Sequence, residues 1–389
     1  MMDKTQKYIG WACTYTPLPL IEASGFTPYR LLPTTQAPDR SGHKLHDNLC
    51  PHIKKILDRA LDNDLPPLAG IVFVNSCDAM HRLADAWNQV RPHDNTILID
   101  LPIAPPVLQG PGALSTGPIA PPVLQGPGAL STGPIANDEK SVDFLSQEFS
   151  KLSQTLAEWS GETPTKAATQ EGLSHYHEIY NLLDEIKNHH IKGTLNKGGA
   201  FMQDLYNQAA TQSSTQTLES LKKCLASFQE TPSLHKGIPL FLFGNVLPDP
   251  EAFSLFESCG AYIVADNLCT GFRQFAAYDK IPPGLNNDQD VFAFLARSLL
   301  MRTPCARTFD PQKPLYIADQ LLAEARSYGV RGAIGHTVKF CDPYLARLPI
   351  IREVFKKAKM PLLLLEGDCT LRSMGQHRTR IEAFVEMLG

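Results

Sequence analysis

IVFVNSCDAMH, residues 71–81, is an apolar, β-branched run that stops at Asn75-Ser76 and delivers Cys77 followed by an acid. Such a run predicts a buried parallel strand with a thiol at its carboxyl end. That end of an open α/β sheet is where ligands bind. The arrangement returns as GAIGHTVKFCDPY, residues 332–344, where an apolar strand again leads to Cys-Asp. In each copy a helix-like segment follows, then a second apolar strand: TILIDLP at 96–102 and PLLLLEGD at 361–368. The expected fold is therefore α/β, with two pseudo-symmetric Rossmann-like lobes built on parallel sheets and a helical insertion between them.

A chain of 389 residues exceeds what one hydrophobic core serves, so more than one domain is expected. With 43% apolar residues and a net charge of -4 it reads as an ordinary globular protein with no basic face for nucleic acid. No run is long enough to span a bilayer, and the start MMDKTQKYIGWAC is too short in apolar residues for a secretory signal. A cytoplasmic location is expected, and there nine cysteines stay reduced, which favours metal or catalytic roles over disulfides.

The first lobe is assigned to residues 1–136, the helical segment to 137–235 and the second lobe to 236–389. Within the first, PIAPPVLQGPGALSTG occupies 102–117, recurs unchanged at 118–133 and restarts as PIA at 134–136. A Pro/Gly-rich, uncharged repeat builds neither helix nor central strand, so an extended loop is expected there. In the helical segment, Phe144, Leu145, Phe149, Leu152, Leu156 and Trp159 fall at steps of three and four, marking one apolar face. Further helices are expected over 171–188, 199–208 and 216–229, serving packing and subunit contacts. His175, His177, His189 and His190 lack an acid at ligand spacing and read as solvated histidines rather than a zinc site.

Context separates the cysteines. Cys224 in a helical repeat and Cys259 before Gly260 read as small buried apolar residues. Six others sit at strand ends, turns or helix starts. Cys13 precedes a Pro-bounded turn; Cys50 opens a helix, where the dipole favours a thiolate; Cys77 ends the deciding strand. Cys269 lies at a Thr-Gly turn, Cys305 in TPCAR, and Cys341 ends the second copy. Cys13 to Cys50 is 37 residues and Cys269 to Cys305 is 36, a pattern that a duplication would leave. Structural zinc uses close Cys pairs, absent here. Iron–sulfur cubes accept scattered ligands, and three cysteines leave one iron of a 4Fe-4S cube open, so six suit two cubes.

GWACTYTP, FVNSCDAMHRL, ADNLCTGFR, TPCAR, VKFCDPY and GQHRTRIEAFVEML resemble the 2-hydroxyacyl-CoA dehydratase and benzoyl-CoA reductase D-component family over nearly the whole chain outside the repeat. The resemblance implies two α/β lobes and a 4Fe-4S cluster on three cysteines, here Cys50, Cys77 and Cys341. It also implies an ATP-hydrolysing iron–sulfur activator that feeds in single low-potential electrons. The extra Cys13, Cys269 and Cys305 are similar to those of the double-cubane branch, in which one polypeptide, paired as a homodimer, holds an 8Fe-9S cluster. The resemblance suggests Cys50, Cys77 and Cys341 for one cube and Cys13, Cys269 and Cys305 for the other; internal symmetry equally permits grouping by lobe. One motif departs from the family: where many relatives carry Glu after the Pro, this chain has Pro19, with Glu22 one turn away.

The expected activity is reduction of a small, otherwise unreactive molecule. The alternatives are one subunit of a heterodimeric dehydratase or benzoyl-CoA reductase with a single cube, and a non-enzymatic electron-transfer or cluster-storage protein. No GxxxxGK[ST] loop is present, so ATP hydrolysis belongs to another protein. Arg273, Arg307, His336, Lys339 and Glu366 are candidates for substrate binding or proton donation, against a role as caps and salt bridges.

Overall fold

The computed structural model describes residues 7–33, 40–102, 139–195, 197–228, 237–275, 278, 288–302, 305–307, 314–370 and 374–389. The expectation of an extended repeat falls, apart from Pro102, outside these residues.

The first lobe runs β1 (Tyr8–Trp11), α1 (Leu18–Ala23), β2 (Thr27–Arg30), α2 (Pro51–Leu61), β3 (Leu68–Asn75), α3 (Asp78–Val90) and β4 (Thr96–Asp100). Four helices follow: α4 (Glu139–Ser160), α5 (Lys166–Ile191), α6 (Gly199–Thr211) and α7 (Ser214–Ala226). The second lobe runs β5 (Ile238–Gly244), α8 (Pro250–Ser258), β6 (Ala261–Asn267), α9 (Asp288–Met301), α10 (Tyr316–Ser327), β7 (Gly332–Val338), α11 (Asp342–Lys357), β8 (Leu362–Gly367) and α12 (Met374–Leu388). The sheet orders are β2-β1-β3-β4 and β6-β5-β7-β8, every pairing parallel, so the two lobes match strand for strand.

The deciding strand behaves as its composition dictates. Ile71, Val72, Phe73 and Val74 are all buried, as expected for β-branched residues in a parallel strand covered on both faces. The helices outrun their sequence signals where a cap was overlooked. Thr165 accepts from the Ala168 amide at 3.1 Å and starts α5 ahead of the expected position. Ser213 and Gln216 form a reciprocal capping box that starts α7.

Helices α4–α7 lie on both lobes: α5 packs on α1 and on β6, α4 on β4 and α9, and α6 on β2 and α8. Leu145, Phe149, Leu152 and Leu156 of α4 are buried as expected, but Phe144 is exposed. Adjacent helical residues point about 100° apart, so Leu145 takes the inward direction and Phe144 cannot.

Register corrects one expectation. Trp11 faces Val72 and Gly244 faces His336, in each case the strand residue five positions before Cys77 or Cys341. Cys77 and Cys341 are therefore true counterparts, but the counterpart of Cys13 is Val246. By the pairings of β2 and β6, Tyr29 corresponds to Asn267, so Cys269 corresponds to Leu31. Cys13 follows a central strand and Cys269 an edge strand, and the near-equal sequence spacings are not the trace of matched positions.

Candidate metal centre

Cys13, Cys77, Cys269 and Cys341 sit at the first turns beyond parallel strands of the two lobes, and Cys50 and Cys305 come from helix-flanking segments. Cys50, Cys77 and Cys341 are the N-caps of α2, α3 and α11. Cys13 lies in a turn closed by Thr16, whose amide and hydroxyl both donate to the Cys13 carbonyl, at 3.0 and 2.8 Å. Cys269 lies in the turn after β6, and Cys305 lies between α9 and α10. Electrostatic action between the thiols sorts them into two threes, each drawn from both lobes: Cys269 and Cys305 act on Cys13, and Cys77 and Cys341 act on Cys50. The two threes adjoin, because Cys305 also acts on Cys77 and Cys341. These couplings run between the lobes, in line with the grouping that the family resemblance suggests rather than with grouping by lobe.

Burial dominates the electrostatics. It pushes Cys13 up to about 12, helped by Cys269 and Cys305 and opposed by Ser76 and the Tyr15 amide. It pushes Cys77 and Cys341 to about 11, opposed by the amides of Met80 and Tyr344. Cys50 stands well above the ordinary thiol range through burial and through Cys341, despite the His52 amide in the first turn of α2. The helix start was expected to favour a thiolate at Cys50, but desolvation outweighs the dipole. Cys269 differs: burial raises it, yet Arg30, Arg273 and Arg302 together hold it below its usual value.

Arg30 is fully buried at the end of β2. It crosses to the second lobe, donating to the Cys269 carbonyl at 2.9 Å, to Cys269 Sγ at 3.4 Å and to Gln274 Oε1 at 2.7 Å. Trp11 lies under its guanidinium, 4.9 Å away. Arg302 donates to the Thr14 carbonyl at 2.6 Å and to the Thr14 hydroxyl, and stacks 4.6 Å over Tyr15. Tyr15 in turn places its hydroxyl 3.9 Å from Cys305 Sγ. Arg273 is locked by Asn267 at 2.5 Å, the Gly244 carbonyl at 2.7 Å and Tyr344 at 3.3 Å. Two residues join the threes. The Asn245 carbonyl accepts from the Cys269 amide at 2.6 Å while its side chain acts on Cys341, and Ser76, next to Cys77, hydrogen-bonds Cys13. The Cys269 turn also depends on Gly271, since a Cβ there would overlap the Asp266 carboxylate, which accepts the Leu268 and Phe272 amides at 3.1 and 3.3 Å.

Among the described residues no three His, Cys, Asp or Glu side chains are close enough to share a single ion. An iron–sulfur cube makes no such demand, because each thiolate binds a different iron. The donors fit that group: they are all thiols, Cys13 and Cys50 buried and Cys77, Cys269, Cys305 and Cys341 half-buried, with amides and guanidinia near them to balance the negative charge of a sulfide cluster.

A family model described as 2-hydroxyglutaryl-CoA dehydratase, D-component, matches residues 13–388. The chain belongs to the 2-hydroxyglutaryl-CoA dehydratase D-component family. It is 21% identical to the beta subunit of (R)-phenyllactyl-CoA dehydratase of Clostridium sporogenes, over 100% of this chain and 93% of that one. It is 24% identical to subunit beta of lactoyl-CoA dehydratase of Anaerotignum propionicum, over 43% of each chain.

Against this D-component background Glu22 is not aimed at the thiols. Its carboxylate binds His175 Nδ1 and the Ser214 hydroxyl, both at 2.6 Å, tying α1 to α5 and α7. The four histidines are not merely solvated, as expected from sequence, but make specific contacts. His177 meets the Tyr278 carbonyl at 2.7 Å, His189 meets Thr194 at 2.8 Å, and buried His190 meets the Ile263 carbonyl at 2.9 Å. Of the polar candidates, Arg273 and Arg307 lie by the thiols, Arg307 acting on Cys77, Cys305 and Cys13. His336 is buried within β7, and Lys339 and Glu366 are exposed. Cys224 and Cys259 stand apart in α7 and at the end of α8.

Sequence reasoning missed Arg30, Asn245, Ser76 and Cys369. Cys369 is fully buried just after β8 and acts on Cys50. The Lys55–Asp368 ion pair at 3.0 Å holds that loop to α2. The signal was present: Cys369 follows its strand much as Cys77 and Cys341 follow theirs.

Proposed function

We propose that the protein is an iron–sulfur redox enzyme. In this reading Cys13, Cys269 and Cys305 hold one 4Fe-4S cube, Cys50, Cys77 and Cys341 hold another, and the two are joined as an 8Fe-9S double cubane. Bound there, the cluster supplies low-potential electrons to a small, otherwise unreactive molecule. A separate ATP-hydrolysing iron–sulfur activator delivers them, and the working unit is an oxygen-sensitive cytoplasmic homodimer.

The observation that carries this reading is the second three: Cys13, Cys269 and Cys305 are gathered beside the first three and drawn from both lobes. The chain's own residues supply the surroundings. The first-turn amides of α2, α3 and α11 face the sulfurs of Cys50, Cys77 and Cys341 and favour their thiolates. Arg30, Arg273 and Arg302 offset negative charge at Cys269. Trp11, Tyr15 and the buried strand ends exclude water, which strengthens each of these interactions.

A second reading, a dehydratase beta subunit with one cube on Cys50, Cys77 and Cys341, rests on the named activities of the two relatives. In that case a second subunit and an acyl-CoA substrate are required. Anaerobic purification with iron and acid-labile sulfide analysis separates the two: about eight irons per chain supports the double cubane and about four the single cube. Reduction without any turnover, given a competent reductase, supports an electron-transfer role instead.

A further inference from the structure

The two cysteine threes differ in how closely a fixed cation is held against a thiol. Around Cys13, Cys269 and Cys305 the charged neighbours are guanidinia: Arg30 donates to Cys269 Sγ at 3.4 Å, and Arg302 is fastened to Thr14 next to Cys13 by a 2.6 Å bond to its carbonyl. Arg273 is fixed within the Cys269 turn by Asn267 at 2.5 Å. Two acids, Asp266 and Glu324, act on Arg273 and offset part of its charge, whereas Arg30 is held on Cys269 and Gln274. Around Cys50, Cys77 and Cys341 the charged neighbours include Asp342, exposed at the start of α11 and acting on Cys341, and Asp78, which pairs with Arg82 at 3.5 Å. Arg307, the guanidinium acting on Cys77, acts on Cys305 as well and so does not favour either three.

A buried fixed cation stabilises the more negative, reduced form of a neighbouring redox group and raises its potential, with little screening by salt or solvent. Arg30 is fully buried and its guanidinium is held on three acceptors, so its charge cannot swing away. We infer that the Cys13/Cys269/Cys305 cube is the higher-potential member of the pair, that Arg30 is the positioning residue that makes it so, and that an electron entering the pair comes to rest there. The inference rests on the two-cube reading and deepens it by saying on which side of the pair an electron accumulates.

The test is an anaerobic reductive titration of the full-length holoprotein, followed by electron paramagnetic resonance, alongside iron analysis. Wild type is compared with Arg30→Met, which removes the charge but keeps the length, and with Arg30→Lys, which keeps the charge. Arg302→Met is a second, peripheral variant should Arg30→Met not fold. The expected result is unchanged iron, with the upper of two midpoints falling by at least tenfold in the one-electron equilibrium, about 59 mV. Arg30→Lys should restore most of that shift. Unchanged iron with neither midpoint moved, or with the lower midpoint moved instead, overturns the inference while leaving the two-cube reading standing. Wild-type iron of about four per chain defeats that reading, and this inference with it.

Discussion

Gly271→Ala should damage one half of the site and leave the other intact. The new methyl would overlap the Asp266 carboxylate, which holds the Cys269 turn by accepting the Leu268 and Phe272 amides at 3.1 and 3.3 Å. A hydrogen bond to a charged group is worth about 1.5–3 kcal/mol, so displacing the carboxylate from one or both amides costs about 2–5 kcal/mol. The control is Gly25→Ala, where nothing lies within 4 Å but φ is +78°; left-handed strain alone there costs about 1–2 kcal/mol. Urea unfolding of the cluster-free proteins reads the stability difference, and iron analysis of the anaerobically prepared proteins reads the site. The expected outcome is a larger stability loss in Gly271→Ala and iron reduced toward half of wild type, with full iron in Gly25→Ala. Equal losses in the two variants, with full iron in both, would refute the role given to the Cys269 turn.

Glu22→Ala strands His175 and Ser214 without their shared acceptor, so stability should drop by about 1–3 kcal/mol in thermal or urea unfolding while iron content stays at the wild-type level. Cys369→Ser buries a hydroxyl at a fully buried position and should cost about 1–3 kcal/mol; because Cys369 belongs to neither three, iron analysis should give the wild-type value. Burial lowers His52 to about 3 and His336 to about 4, so both are neutral in the folded chain. The unfolded chain takes up their protons first, so this stability is present above about pH 6.5 and is lost as pH falls toward 4 and then 3. Unfolding midpoints of the cluster-free protein should decline across that window, and His52→Gln should flatten the decline.

What the sequence made legible was what local chemistry dictates. An apolar β-branched run ending in Cys-Asp fixes β3 and Cys77, and β7 and Cys341, because burial on both faces and the strand end are written in consecutive residues. The positions of Cys13 and Cys269 were legible as turns, but not their non-equivalence, which depends on sheet order rather than on spacing. Arg30 carries no signal in its own stretch of sequence. Only the approach of the second lobe buries it against Cys269, 239 residues away in sequence. His175 has Glu171 one turn away at 3.9 Å, but its close acid is Glu22 at 2.6 Å, 153 residues away, where a spacing rule within one helix cannot look.

The central claim, that each three is built across the lobes, is tested most directly by counting iron in paired substitutions of the anaerobically prepared protein. Cys13→Ala with Cys269→Ala removes two members of one three and should leave about half the iron, whereas Cys13→Ala with Cys77→Ala, from a single lobe, breaks both threes and should leave almost none. The reverse result, half the iron in the single-lobe pair and none in the cross-lobe pair, would contradict it.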